Sequence, residues 1–147
     1  MISAILAVDE NLAIGYQNKI LFKNKVDMSF FKKVSTTIFN CVVGRITYES
    51  LSPHYLPNRN LIKITTGVNI EDIKSQYNDL LVIGGSQIYE LFKDSVDVWY
   101  VTYFKSKAEL ADTYLSNTLH EHILSYKNQE ILHEDTTLKI VKYSNKI

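Results

Sequence analysis

The sequence predicts an α/β fold with a mixed, mainly parallel central sheet flanked by helices and a C-terminal antiparallel hairpin. Apolar runs rich in β-branched residues recur through the first two thirds of the chain, as expected for strands that are covered on both faces. Helical stretches separate these runs, which is typical of parallel sheets. The last third contains two strand-like segments joined by a short polar connection, which favours a hairpin.

The elements follow in order along the chain. Buried strands are predicted at residues 2–8, 38–43, 61–64 and 80–83, and helices between and after them at residues 27–35, 46–51, 70–77 and 87–92. A further strand is predicted at residues 97–104, before a hairpin that pairs residues 130–133 with 138–143. The polar segment at residues 9–25 is too long for a plain connection between a strand and a helix, so it is a candidate lid.

Size and charge restrict the class of protein. A chain of 147 residues is the usual size of one domain, so we expect a single domain over residues 1–147. Its 16 basic and 16 acidic residues cancel, so no global field attracts the protein to nucleic acid or to an anionic membrane. We therefore expect no nucleic-acid or membrane partner. We also expect a monomer with a small-molecule substrate, although charge does not indicate either. Any anionic ligand must be bound locally.

Cysteine and histidine usage argues against a metal site. The single cysteine, Cys41, lies in an apolar run and is predicted to be a buried strand residue. The pair His120 and His122 offers too few ligands for a metal, and its alternation of two favours a surface segment; His54 and His133 show no evident partner. The apolar N-terminus lacks a basic leader and a cleavage site, so we expect a cytoplasmic protein.

Two junctions of the form strand, glycine, helix are the main chemical signal. In Val43-Gly44-Arg45 and again in Ile83-Gly84-Gly85, the amides of a helix start face the space beyond a strand end. Two such junctions favour one diphosphate held between them. The alternatives are a tight turn with a surface arginine at the first junction and close helix–sheet packing at the second.

Asp27 is the carboxylate of interest. It shares one helix face with Phe31 and Val34, so the acid lies on an apolar stripe. It could cap the helix or provide a favourable charge at its start. In an apolar cleft it could instead bind, or help to protonate, a nitrogen heterocycle.

Taken together, these segments resemble the dihydrofolate reductase family over nearly the whole chain. The most specific motif, Gly44-Arg45-x-Thr47-Tyr-Glu-Ser50, is similar to the family's G-R-x-T-[WFY]-E-S signature. The other matching motifs are the opening strand with Ile14-Gly15, D-x-x-x-F-K at 27–32, L-P-x-R at 56–59, I-G-G-x-x-x-Y at 83–89 and D-T at 112–113. The resemblance implies a dihydrofolate-reductase-like fold for the sheet and hairpin predicted above.

The resemblance also implies an NADPH-dependent reduction of dihydrofolate to tetrahydrofolate, which supports one-carbon and thymidylate metabolism. Asp27, beside Thr102, is implied to bind the pterin and to favour protonation at N5, with water delivering the proton. Arg59 is implied to hold the substrate's α-carboxylate and Phe31 to pack against its benzoyl portion. The remaining implied substrate contacts are Ile5, Met28, Leu51, Leu56 and Ile83.

The same resemblance assigns the cofactor site. Backbone at Ala7 and Ile14 is implied to meet the nicotinamide carboxamide, and Arg45 with Thr65 and Thr66 to hold the 2'-phosphate. The Gly-Gly peptide of the second junction is expected to be cis. The remaining implied NADPH contacts are Gly15, Gly44, Ile46, Thr47, Gly84, Gly85, Ser86, Gln87, Ile88 and Tyr89, and no metal is implied.

The departures from the family pattern lie in and near the lid. Leu21-Phe22 stands where the family usually has Pro-Trp, and Ala111 replaces a glycine common before the D-T pair. Two other functions stay open at this point. One is a reductase of the same fold acting on another heterocycle, such as the pyrimidine reductase of riboflavin synthesis, although Asp27, Phe31 and the 56–59 motif favour a folate. The other is a non-catalytic descendant that binds both ligands without consuming NADPH.

Overall fold

The architecture is that of a computed structural model, which describes residues 1–17, 21–50, 56–65 and 67–145. Its strands are β1 Ile2–Val8, β2 Ala13–Gly15, β3 Asn40–Gly44, β4 Asn60–Ile64, β5 Leu80–Val82, β6 Val98–Phe104, β7 Thr113–Tyr114, β8 Asn128–Glu134 and β9 Leu138–Ser144. Its α-helices are α1 Lys25–Ile38, α2 Arg45–Ser50, α3 Ile70–Gln76, α4 Ser86–Phe92 and α5 Asn117–Leu124.

Seven strands form one sheet in the order β4-β3-β5-β1-β6-β9-β8. The first five strands in that order are parallel, and β9 pairs antiparallel with both β6 and β8. The predicted mixed, mainly parallel sheet with a C-terminal hairpin is therefore confirmed. A second, two-stranded sheet joins β2 to β7, neither of which was predicted.

Helices cover both faces of the sheet, which explains the uninterrupted apolar strands. On one face, α1 packs its Phe31 and Val34 against Ile5, Cys41 and Leu81. On the other face, α3, α4 and α5 close the main cluster around Trp99, which is fully buried. Removing each such apolar side chain from water contributes roughly 1.5–3 kcal/mol, which drives the layers together. The prediction that Cys41 is a buried strand residue is confirmed.

The start of β3 differs from the prediction. Residues 38–43 were predicted as one strand, but α1 continues to Ile38, and β3 begins only at Asn40. Ile38 lies seven residues after Phe31 and packs in the same cluster, so it belongs to the helical stripe. The chain turns at Phe39, whose φ is 75°. An apolar run that crosses a helix end cannot be divided by hydrophobicity alone.

The histidine pair lies in an α-helix, which its alternation of two in the sequence did not indicate. His120 and His122 lie in α5, whose start is capped by the Ser116 hydroxyl accepting from the Leu119 amide. Leu119 and Ile123 are both buried, and their separation of four residues is helical. The polar residues between them hid this spacing in the sequence. His120 Nε2 lies 2.9 Å from the Tyr103 hydroxyl.

The expectation that His133 has no partner is wrong, because its Nε2 lies 2.8 Å from Asp135 Oδ2. His54 lies outside the described residues. Within the described residues, no group of His, Cys, Asp and Glu is arranged to hold a metal ion. In those same parts of the chain, no helix is long and apolar enough to cross a bilayer.

Candidate active site

Asp27 lies in the first turn of α1, but it does not cap the helix. The cap is Asn24, whose side-chain oxygen accepts from the amides of Val26 at 2.9 Å and Asp27 at 3.1 Å. The alternative that Asp27 is the N-cap is therefore wrong, although its charge still favours the helix start. Burial raises the pKa of its carboxyl above the usual range, and the nearby Thr102 hydroxyl partly opposes that shift.

Thr102 provides a second polar group at this position. It lies on β6 directly beside Ala7 of β1 in the parallel register and is 1% exposed. Its hydroxyl makes no hydrogen bond of normal geometry to any described residue. Because an unsatisfied buried hydroxyl costs about 1–3 kcal/mol, this group is suited to a polar ligand atom placed between β6 and Asp27.

Apolar and aromatic side chains from α1 and β6, the elements that carry these two polar groups, belong to two clusters. Ile5, Phe31 and Ile83 belong to one cluster, although they come from β1, α1 and the end of β5. Phe22, which stands in place of the family's tryptophan, stacks on Phe104 with ring centroids 4.2 Å apart. Phe22 thus keeps an aromatic wall at the lid side, but it has no ring N–H to donate.

Arg59 is held in place by α1 and by the main chain just before it in sequence. Its Nε donates to the Ser35 hydroxyl at 2.6 Å, and its Nη1 donates to the Pro57 carbonyl at 3.1 Å. Its guanidinium carbon lies 5.7 Å from the centre of the Phe31 ring. Among the described residues the other donors of the fork have no hydrogen-bond partner, which suits the bidentate pairing with a carboxylate that arginine favours.

The other predicted substrate contacts are distributed unevenly. Leu56 is 9% exposed and packs as a core residue, whereas Met28 is 45% exposed on the surface of α1. Leu51 lies outside the described residues.

The structure brings the two glycine junctions together. The Gly44 amide donates to the Gly84 carbonyl at 2.8 Å, because β3 and β5 are neighbours in the sheet. A Cβ at Gly44 would meet Ile88 Cγ1 at 2.8 Å, and one at Gly85 would meet Thr47 Oγ1 at 3.2 Å. Close packing therefore accounts for part of the glycine requirement. The expected cis peptide between Gly84 and Gly85 is present.

Helix α4 begins directly after this peptide. The Gly85 carbonyl accepts from the amides of Ile88 and Tyr89, so the helix is hydrogen-bonded from its first turn. The amides at Ser86 and Gln87 precede the first intrahelical donors and point away from the helix. The buried Tyr89 hydroxyl donates to the Ile5 carbonyl at 2.6 Å, which ties α4 to β1. Burial raises the pKa of this hydroxyl, so it stays a donor.

Two of the three predicted 2'-phosphate residues, Arg45 and Thr65, lie at the carboxyl end of the parallel strands. Gly44 pairs with Ile64, so Arg45 and Thr65 follow at the carboxyl ends of neighbouring strands. Arg45 is exposed, and its only ion pair among the described residues is a 3.5 Å contact with Glu49. Exposed pairs of this kind contribute about 0–1 kcal/mol, so the guanidinium is free to be recruited by a ligand. Ile46 is exposed beside it. Thr66 lies outside the described residues.

Ile14 and Gly15 lie on β2, in the described part of the predicted lid. The Gly15 carbonyl accepts from the Asp112 amide at 3.1 Å, and Asp112 Oδ2 accepts from the Gln17 amide at 3.0 Å. The D-T motif at residues 112–113 therefore supports the lid directly. Residues 18–20 of the predicted lid lie outside the described residues.

Sequence reasoning missed two positions that the geometry singles out. Ser35 is fully buried and bonds Arg59, and it lies eight residues after Asp27 on the same helical stripe, a spacing that the sequence already contained. Asp9 is 3% exposed and accepts from several backbone amides. No sequence pattern marks Asp9, because its partners are main-chain amides, which any residue type can provide.

Comparison with known proteins gives consistent matches. The family model for dihydrofolate reductase matches residues 1–145. The dihydrofolate reductase of Buchnera aphidicola subsp. Baizongia pistaciae (strain Bp) is 32% identical in an alignment that covers 96% of this chain and 97% of that protein. The dihydrofolate reductase of Bacillus subtilis (strain 168) is 34% identical over 69% of this chain and 68% of that relative.

A solved structure agrees with the sequence matches. The dihydrofolate reductase from Enterococcus faecalis, complexed with NADP(H) and RAB-propyl, superposes with a TM-score of 0.77 at 25% identity. That superposition covers 98% of this chain and 95% of the other.

Proposed function

The chain belongs to the dihydrofolate reductase family, so its reaction is the NADPH-dependent reduction of dihydrofolate to tetrahydrofolate, and we propose roles for its own residues in that reaction. The observation that carries the proposal is the pair formed by Asp27 and Thr102. A carboxylate with a raised pKa lies next to a buried hydroxyl, and the helix that carries the carboxylate packs its apolar side chains with Ile5 and Ile83. Such a pair suits a planar heterocycle that offers both N–H donors and ring nitrogens.

Asp27 binds and polarises the substrate ring. Its carboxylate accepts from the amino group and N3 of the pterin, while Thr102 supplies the adjoining polar contact. The negative charge held beside the ring favours protonation at N5, and water delivers that proton. Phe22 and Phe104 limit the access of bulk solvent on the lid side.

Arg59 and Phe31 bind the substrate's tail. The guanidinium pairs with the α-carboxylate, and the ring packs against the benzoyl group. Ser35 and the Pro57 carbonyl keep the fork fixed, so little side-chain entropy remains to be lost on binding. Ile5, Ile83, Leu56, Leu51 and Met28 complete the proposed apolar contacts.

The glycine junctions fit the cofactor. Bare backbone at Gly84 and Gly85, next to the start of α4, allows a pyrophosphate to approach the amides of Ser86 and Gln87. When bound, NADPH supplies the hydride that reduces C6 of dihydrofolate. Backbone at Ala7 and Ile14 orients the nicotinamide side. The remaining proposed contacts are Gly15, Gly44, Ile46, Thr47, Ile88 and Tyr89.

Arg45 is expected to determine the preference for NADPH over NADH. With Thr65 and Thr66 it provides the charge and hydroxyls that a 2'-phosphate requires. We expect Arg45→Ala to lower the ratio of kcat/KM for NADPH to that for NADH by about tenfold or more, mainly through KM for NADPH. Lys63→Ala is the matched control, since it removes a nearby cation that lies over the Tyr48 ring. If Arg45→Ala leaves this ratio of kcat/KM values unchanged, residues other than Arg45 bind the 2'-phosphate.

The direct test of the function is the loss of NADPH absorbance when dihydrofolate is added to the purified protein. We expect consumption that depends on both substrates and is blocked by methotrexate. Methotrexate binding also distinguishes a folate site from that of a reductase with another heterocycle as its substrate. Binding of both ligands without NADPH consumption contradicts the proposed catalysis.

We further propose that residues 1–147 act as one domain and as a cytoplasmic monomer. A single main sheet links the described residues from β1 to β9, which supports one domain. The balanced charge supports a small-molecule enzyme without a nucleic-acid partner. Light scattering of the purified protein measures the oligomeric state.

A further inference from the structure

A buried carboxylate outside the proposed site lies where β1 ends. Asp9 is 3% exposed, and none of the ion pairs among the described residues includes it. Its Oδ1 accepts from the amides of Asn11 at 2.8 Å and Ala13 at 2.9 Å, and its Oδ2 accepts from the amide of Ala108 at 2.8 Å. Both oxygens are therefore held by main-chain donors.

These donors belong to two different segments. Asn11 and Ala13 are in the lid base, which we define as residues 9–17. Ala108 is in the support segment, defined as residues 105–115. The two segments also meet through backbone bonds, from Glu10 N to the Ser106 carbonyl at 3.1 Å and from Leu115 N to the Leu12 carbonyl at 2.8 Å. Asp9 is the buried side chain that crosses this contact.

The position of Asp9 along the chain gives the contact its significance. It lies two residues after Ala7 and five before Ile14, the two backbone positions that the proposed function places against the nicotinamide. At the other end of the contact, Asp112 forms hydrogen bonds with the main chain of Gly15 and Gln17. Asp112 is exposed, so water competes for these hydrogen bonds. The buried end is therefore better suited to fix the lid base.

We propose that Asp9 is a positioning residue for hydride transfer, which clamps the lid base to the support segment and so sets the placement of Ala7 and Ile14. The inference rests on the proposed function and extends it to a residue that contacts neither ligand. A carboxylate is required because all of its partners donate. In the Asp9→Asn variant, the side-chain NH₂ would face either the Ala108 amide or the amides of Asn11 and Ala13. Two donors cannot bond to each other, so the contact on that side would be lost.

The test is Asp9→Asn in the full chain, with the hydride-transfer step measured in single turnovers of NADPH and of NADPH deuterated at C4. We expect transfer to slow by about tenfold, because small misplacements of reacting groups are costly. The Kd for NADPH should change by less than about threefold, because the phosphate contacts that dominate affinity are untouched. Amide hydrogen exchange in residues 105–115 should accelerate by about tenfold.

The matched control is Asp97→Asn. Asp97 Oδ2 accepts from the Ile2 amide at 2.9 Å, so it ties the opposite end of the same strand, β1. If both variants slow hydride transfer equally, the effect is one of general stability and the inference is overturned. The inference is also overturned if Asp9→Asn shows wild-type rates of hydride transfer and of amide hydrogen exchange. If Asp9→Asn does not fold, Ala108→Pro removes one donor and leaves the carboxylate intact; wild-type transfer in that variant also overturns it.

The two proposals fail in different ways. A wild-type protein that does not oxidise NADPH in the presence of dihydrofolate contradicts the proposed function. Hydrogen exchange in residues 105–115 of the apoprotein still shows whether Asp9 holds the support segment. If Asp9→Asn leaves amide hydrogen exchange in residues 105–115 unchanged, the proposed role of Asp9 is rejected, whether or not the protein is active.

Discussion

Asp27→Asn is expected to lower kcat/KM for dihydrofolate near neutral pH by about a hundredfold or more, the usual contribution of a group that assists proton transfer. Asn keeps the shape of the side chain and can still meet the ring, but it has no negative charge to favour protonation at N5. The loss should shrink as the pH falls, because solvent then protonates N5 without help. NADPH binding should be spared, since Asp27 is not among the proposed cofactor contacts.

The same substitution, although it lowers activity, should stabilise the folded apoprotein. Burial raises the folded-state pKa of Asp27. The stability contributed by this group is therefore fully present below the ordinary carboxyl pKa and is lost as the pH rises through the raised value. Above that raised pKa the apoprotein contains an ionised, partly buried carboxylate, so Asp27→Asn should raise its Tm there. That gain should vanish in acid, where both side chains are neutral.

Kinetics and thermal melts over a pH series measure both effects. Thr36→Ala is a suitable control, because it removes a hydroxyl of the same helix whose hydrogen bonds to described residues go to the α1 backbone. Wild-type turnover in Asp27→Asn removes the carboxylate from the mechanism. If Asp27→Asn raises the Tm at no pH of the series, Asp27 is not a destabilising group of the apoprotein.

Much of the fold could be predicted because its signals are local. Strands buried on both faces give unbroken apolar runs, and β1 was predicted with its observed bounds, Ile2–Val8. Elements stabilised by distant partners were missed. β2 and β7 are short and hold each other through antiparallel pairing, so neither carries a pattern of its own. In α5, the residues around the pair Leu119 and Ile123 are mainly polar and hide the helical stripe.

The parts of the site that could be predicted are those that belong to short sequence motifs. The glycine junctions were identified from their residue types, and the structure brings them within one hydrogen bond of each other. The contact of Ser35 with Arg59 joins residues 24 apart, and that of Asp9 with Ala108 joins residues 99 apart. Serine and aspartate are common on surfaces, so only burial distinguishes these two.

Arg59→Ala is expected to weaken methotrexate binding by about a hundredfold and to leave unchanged the affinity for a diaminopyrimidine inhibitor that lacks a glutamyl tail. A charged bidentate pair is worth about 2–3 kcal/mol, and each 1.4 kcal/mol corresponds to tenfold in Kd. Only the first inhibitor carries the α-carboxylate that Arg59 is proposed to hold. Lysine keeps the charge but loses the fork, so Arg59→Lys should fall between the wild type and Arg59→Ala.

Ser35 provides the structural control for that experiment. Its hydroxyl accepts from Arg59 Nε at 2.6 Å, so Ser35→Ala should release the fork and weaken methotrexate binding by about tenfold, again without affecting the inhibitor that has no carboxylate. Ser35→Thr keeps the acceptor and should restore most of the affinity. Titration calorimetry with both inhibitors measures all four variants. Equal losses for the two inhibitors mean that the substitutions disturb α1 as a whole, because a specific carboxylate site can affect only the ligand that carries one.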